Sequence, residues 1–201
     1  SVKHIHEVLD EIQKFPANYK AWNLGLASAL ACGAFTFLLG GGPVEMCCAF
    51  LGAGVGNFVR KKMLGHSISL LANVAVSVAA SCLVYVLTIL LAQSLLSVSA
   101  VHQAGYICAM LFVIPGFPLI TGGIDLAKLD LRSGLERVSY ALLIILTATM
   151  TGWATAAICQ FQPADFEPLQ LQKWTLLCFR LITSFCGVYG FSLMFNSPRK
   201  M

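Results

Sequence analysis

The most distinctive stretch of the chain is Leu111-Phe112-Val113-Ile114-Pro115-Gly116-Phe117-Pro118-Leu119-Ile120-Thr121. Pro115 and Pro118 each lack an N–H, and in a helix each ring would clash with the carbonyl four residues back. Pro118 also disfavours the helical region for Phe117, and Gly116 adds freedom between the two prolines. The spacing predicts a broken helix in which several carbonyls lose their helical partners. In an apolar surround such backbone is tolerated only where protein or a wet cavity meets it. Broken helices of this kind build the central sites of many secondary transporters. The alternative is a proline kink that merely shapes a helix bundle. Pro115, Gly116, Phe117, Pro118 and Thr121 are therefore the candidate substrate-binding residues.

Asp125 stands seven residues beyond Pro118, roughly 10 Å along a helix. An acid in or just below the cytoplasmic half of a bilayer is costly unless it has a partner or a proton. Asp125 is thus a candidate to hold a substrate ammonium group or to exchange a proton. The plainer reading is a solvated residue with Lys128 as its i+3 partner. Glu45 lies at a turn between two apolar runs, as an outer gate, a point where protons enter or an ordinary turn residue. Asn73, Ser77 and Ser81 recur every four residues on one helix face. They line a polar path or hydrogen-bond between helices.

The chain that carries these residues has 201 positions, 58% apolar and 11% charged. A soluble domain carries about 25% charged residues, so this one cannot wet its own surface. From residue 67 to residue 124 there is no Asp, Glu, Lys or Arg. One crossing takes about 20 apolar residues, so that run alone crosses a bilayer at least twice. The net charge of +4 sits in short clusters between apolar runs and is not a nucleic-acid footprint. The eight cysteines fall in or beside apolar runs without CxxC or Cys/His ligand spacing. They read as small packing residues rather than as disulfide or metal chemistry. There is no Ser-His-Asp set, phosphate loop or zinc spacing, so the residues point to no enzyme, metal or cofactor.

The predicted fold class is all-α, a polytopic transmembrane bundle of about six spans. Val2, Ile5, Val8, Leu9, Ile12 and Phe15 are helically spaced and predict an amphipathic surface helix within residues 1–20. Spans are expected at Trp22–Gly41, a shorter Met46–Val59, Ser67–Leu91 and Gly105–Leu126 with its interruption. A polar stretch from Asp125 to Arg137 leads to Val138–Ile158, and the sixth is Trp174–Phe195. Of the thirteen Lys and Arg, all but Lys173 and Arg180 fall on one side of this arrangement, which puts both chain ends in the cytoplasm. Gly25, Ala29 and Gly33, then Gly52 and Gly56, then Ala75 and Ala79 let helices approach closely, as a sliding interface or as static packing.

Leu39-Gly40-Gly41-Gly42 after Gly33-Ala34-Phe35, the string Pro115-Gly116-Phe117-Pro118-Leu119, and then Asp125, Asp130, Gly134 and Arg137 resemble the threonine/serine exporter (ThrE-like) family over nearly all of the chain. The resemblance implies an exporter of small amino acids in the cytoplasmic membrane, driven by the proton-motive force and built from two five-helix halves. It also adds Arg137 to the candidate residues. Gly190–Phe195 echoes Ala34–Leu39, which would start a second repeat at the sixth span. Five spans is an odd number, so that copy would be inverted. The expected division is a surface helix at 1–20, a first repeat at 21–160, and a loop plus the first helix of a second repeat at 161–201. Beginning at Ser1 rather than Met, the chain reads as half a transporter plus one helix. Its expected partners are the lipid bilayer, a small amino acid, protons, the remaining second-half helices and a second copy of itself, with no nucleic acid.

A relative of that family is a two-chain succinate exporter, whose larger chain looks like the first half alone. A zwitterion needs both an anion and a cation as partners, whereas a dicarboxylate needs paired cations. The membrane region offers one candidate acid, Asp125, and no deep paired bases, which leans towards an amino acid. The competing class is a membrane scaffold subunit with no transport of its own, using the same glycine stripes and basic loops.

Overall fold

The computed structural model describes residues 19–64, 68–96, 105–161, 166, 169, 171–195 and 197. Among them are seven α-helices, one 3-10 turn and no strand. The surface helix expected within residues 1–20 and the loop prolines Pro163 and Pro168 lie outside the described residues.

α1 (Ala21–Leu38) is apolar on every face, as a helix enclosed by other helices or by lipid must be. The glycine run stops it. Gly40 takes φ +105°, and the N–H groups of Gly40 and Gly41 donate back to the carbonyls of Phe37 and Thr36. This is the Schellman arrangement, in which a glycine in the left-handed region satisfies the last carbonyls of a helix. Gly42 then caps α2 (Pro43–Met63), with Pro43 at the first helical position, where a missing N–H costs nothing. α2 runs beyond the expected Val59, so Arg60, Lys61 and Lys62 form its last turn rather than a loop. Positive charge there complements the carbonyl end of the helix.

α3 (Leu70–Leu96) has 27 residues, about 40 Å at 1.5 Å per residue. The interrupted segment follows as α4 (Tyr106–Ala109), a 3-10 turn (Leu111–Val113) and α5 (Gly116–Ala127), with a bend of 66° between its two parts. α6 (Leu131–Ile158) begins well before the expected Val138, because Asp130 caps it by accepting from the Ser133 N–H. The polar stretch after Asp125 is therefore a tight hairpin, not a linker. α7 (Lys173–Met194) closes the described chain.

Among the described residues four helices, α1, α3, α6 and α7, are long and apolar enough to cross a membrane, and the bent pair makes a fifth if counted as one span. α2 has 21 residues, but its glycines and charges dilute it and it is not among them. It packs between α1 and α3. Beyond these, α6 lies on α3, α5 on α6 and α7 on α1. α4 is enclosed by α1, α2 and α3, the 3-10 turn packs on α1, α2 and α6, and together they bury Tyr106, Cys108, Ala109, Phe112 and Val113. The central cluster joins these to Cys32, Cys48, Ala53, Val74, Val78, Cys82, Tyr85 and Ile144.

The glycine stripes are contact surfaces. A Cβ added at Gly52 would lie 2.8 Å from the Ser81 carbonyl oxygen, and one at Gly56 would lie 2.7 Å from Ser81 Cβ and 2.8 Å from the Phe112 ring. The GxxxG of α2 thus admits both α3 and the 3-10 turn. Gly56→Leu is expected to cost about 1–3 kcal/mol by overpacking. Gly116→Ala, whose Cβ would meet nothing within 4 Å, should leave thermal unfolding in detergent unchanged.

Candidate functional site

The break is local and nearly self-satisfied. Pro115 at φ −81°, ψ 65° is the centre of an inverse γ-turn, closed by the Gly116 N–H donating to the Ile114 carbonyl at 2.9 Å. Pro118 does not break anything. It is the third residue of α5, where backbone N–H groups have no helical acceptor in any case. Phe117 is helical, contrary to the expectation from its following proline. The other clash expected of Pro118, with the carbonyl four residues back, is absent because Ile114, with ψ 121°, has already turned its carbonyl away.

Nor do several carbonyls go begging. The Ala109 carbonyl accepts from Ser81 Oγ at 2.8 Å, and those of Met110 and Leu111 accept from Val113 and Ile114. The Phe112 carbonyl accepts from Arg60 Nη1 at 3.2 Å, and the Pro115 carbonyl from the Leu119 N–H. Between Ala109 and Pro115 only the Val113 carbonyl has no donor among the described residues.

Beside the bend lies a cavity of about 230 Å³. Asn57, Arg60 and Lys61 of α2 form one wall, and Phe112 to Pro115 with Pro118 form the second. Tyr140 and Ile144 of α6, Phe191 and Met194 of α7 and Phe195 just past its end complete it. That volume lies below the roughly 300–1,000 Å³ of drug-sized sites and suits a small solute. Arg60 and Lys61 are half-buried neighbours here, in the last turn of α2, so two bases line the recess together. A helix that stopped at the expected Val59 would leave both outside it.

A second, more open groove of about 540 Å³ lies on the other side of Pro118 and Tyr140, lined also by Phe117, Thr121, Glu136 and Arg137. Thr121 Oγ1 donates to the Phe117 carbonyl of its own helix at 2.9 Å. Asp125 Oδ2 is 3.1 Å from Arg137 Nη1, an ion pair whose angle falls short of a hydrogen bond. Its partner is thus Arg137 across the hairpin rather than Lys128. α5 and α6 cross tightly: a Cβ on Gly134 would lie 2.6 Å from Leu126 Cγ and 3.0 Å from the Gly122 carbonyl oxygen. Leu129, at φ 64°, makes the reversal, with the Asp130 N–H returning to the Asp125 carbonyl.

The remaining candidates lie elsewhere. Glu45 is buried in the first turn of α2 over Gly42, and is no surface turn residue. Fifteen residues of helix, about 22 Å, separate it from Arg60. Asn73, Ser77 and Ser81 are buried and engaged with backbone: Asn73 Nδ2 with the Arg60 carbonyl at 3.2 Å, Ser77 with the Asn73 carbonyl, and Ser81 with Ala109. Asn57 Nδ2 donates to the Leu24 carbonyl at 2.8 Å. Among the described residues no His, Cys, Asp and Glu group is placed to hold a metal ion.

Three strings therefore shape the chain: the glycine turn between α1 and α2, the break beside the recess, and the glycine-crossed hairpin closed by Asp125, Asp130 and Arg137. A family model described as threonine/serine exporter (ThrE) matches residues 1–159. The chain belongs to the ThrE family. The match ends with α6 and leaves out α7, a narrower reach than the near-complete resemblance expected. No curated protein and no solved structure matches the chain. Membership of a transporter family together with several membrane-length apolar helices makes this an integral membrane protein of the transporter class.

If the ThrE hairpin is held mainly by its crossing, Gly134→Val should cost about 1–3 kcal/mol. Arg137→Gln should change stability by less than about 1 kcal/mol, as for other partly exposed ion pairs. Thermal unfolding of both variants in detergent checks the ranking.

Proposed function

We propose that this protein is a secondary transporter that exports threonine, serine and similar small amino acids across the plasma membrane, coupled to the proton-motive force. In this reading α2 counts as a sixth span and both chain ends are cytoplasmic. Residues 21–160 form a five-helix repeat, and α7 opens an inverted second one. Further second-half helices, or a second copy of the chain, complete the pathway.

The observation that carries the reading is the recess at the break, where half-helix ends, a carbonyl without a donor and polar side chains converge in an otherwise apolar bundle. A scaffold subunit would have no use for it. Family membership supports the same reading. A second reading, export of a dicarboxylate such as succinate, is favoured by the adjacent Arg60 and Lys61.

In cells loaded with a threonine-containing dipeptide, the protein should lower internal threonine, and the Pro115→Ala/Pro118→Ala double variant should abolish that efflux. Undiminished efflux in the variant would remove the break from the mechanism, and succinate efflux in place of threonine would select the second reading. Asp125→Asn is expected to flatten the pH dependence of efflux; an unaltered profile would confine Asp125 to the hairpin.

A further inference from the structure

The recess contains two cations and, among the described residues, no acid in its lining. The carboxylates with described ion pairs, Asp125 and Glu136, are engaged with Arg137 and Arg132. Neither Arg60 nor Lys61 has an ion-pair partner there. Arg60 commits one N–H to the Phe112 carbonyl, and a guanidinium has five. The others remain to grip a carboxylate in the forked geometry that such pairs favour. Tyr140 of α6 lines the same recess. For the amino end of a solute the recess offers much less. Val113 lines it and has a carbonyl without a donor, but a neutral carbonyl is a weaker partner for an ammonium group than a carboxylate would be.

We infer that the recess recognises its solute by the carboxylate, through Arg60 and Lys61, and discriminates only weakly on the amino group. This rests on the export reading above and specifies how that site chooses. A solute keeping the acid and replacing the amine by a hydroxyl is accepted. A solute keeping the amine and neutralising the acid is refused.

The test is ligand binding by the purified protein in lipid nanodiscs, with L-threonine, 2,3-dihydroxybutanoate and L-threoninamide as probes. The hydroxy acid should bind within about tenfold of threonine, and the amide about 10- to 100-fold more weakly, the range set by loss of a charge-assisted pair. Arg60→Gln and Lys61→Gln should each weaken threonine and bring threonine and its amide together. Arg60→Gln also removes the donor to Phe112, so Lys61→Gln, which disturbs no described hydrogen bond, decides the matter if the first variant fails to fold. Threoninamide binding as tightly as threonine would overturn the inference, and so would a preference unchanged in Lys61→Gln. Threonine bound and exported with that preference unchanged would overturn this inference alone; no binding of any probe would remove the export reading with it.

Discussion

A peptide carbonyl that loses its helical donor in a water-poor interior must find another, since leaving it unmet costs several kcal/mol. The interaction on which this structure turns is the guanidinium of Arg60 reaching the carbonyl of Phe112. Through it the last turn of one helix caps the end of another that the chain itself has cut short. Ser81 does the same for Ala109 one turn earlier. The two bonds tie the interrupted segment to α2 and α3, and the close approach they need exists only because Gly52 and Gly56 have no side chains. Glycine stripe, polar donors and broken helix are one device.

Much of this was legible in the residue types. A proline with a glycine after it breaks a helix by covalent geometry, and the structure breaks where Pro115 and Gly116 stand. The helical class followed from composition and from the long run without charge. Two local readings failed for the same reason: a rule about one residue was applied without its neighbour. Pro118 breaks a helix only when the helix continues from Ile114, and Ile114 is extended. Arg60 to Lys62 mark the end of an apolar run, but the helix continues through them. Hydropathy locates where the oil stops, not where the hydrogen-bond ladder stops, and the site lies in the difference between the two.

The polar face of α3 carries a related lesson. Asn73, Ser77 and Ser81 at four-residue intervals look alike whether they line a pathway or stitch helices together. Each has its polar atoms engaged with backbone, and none of them lines the cavity. The distinction depends on which carbonyls lie opposite, and those are set by the break far along the chain. Asn73 secures the carbonyl of Arg60, so the same face that is closed to a solute holds the end of α2 in position.

A pair of cations beside a small recess carries its own energetic argument. A half-buried Arg or Lys gives up part of its hydration without full repayment, and two adjacent ones also repel. A backbone carbonyl relieves part of that for Arg60 and nothing for Lys61. Water in the recess relieves more, and a mobile anion relieves most, because it brings an opposite charge to both at once. Stability alone would be better served by apolar residues at these positions, as replacements of buried charge usually show. Charges kept at such cost next to a space of solute size, with no acid of the described chain to neutralise them, are explained by a counter-charge that arrives from outside and leaves again.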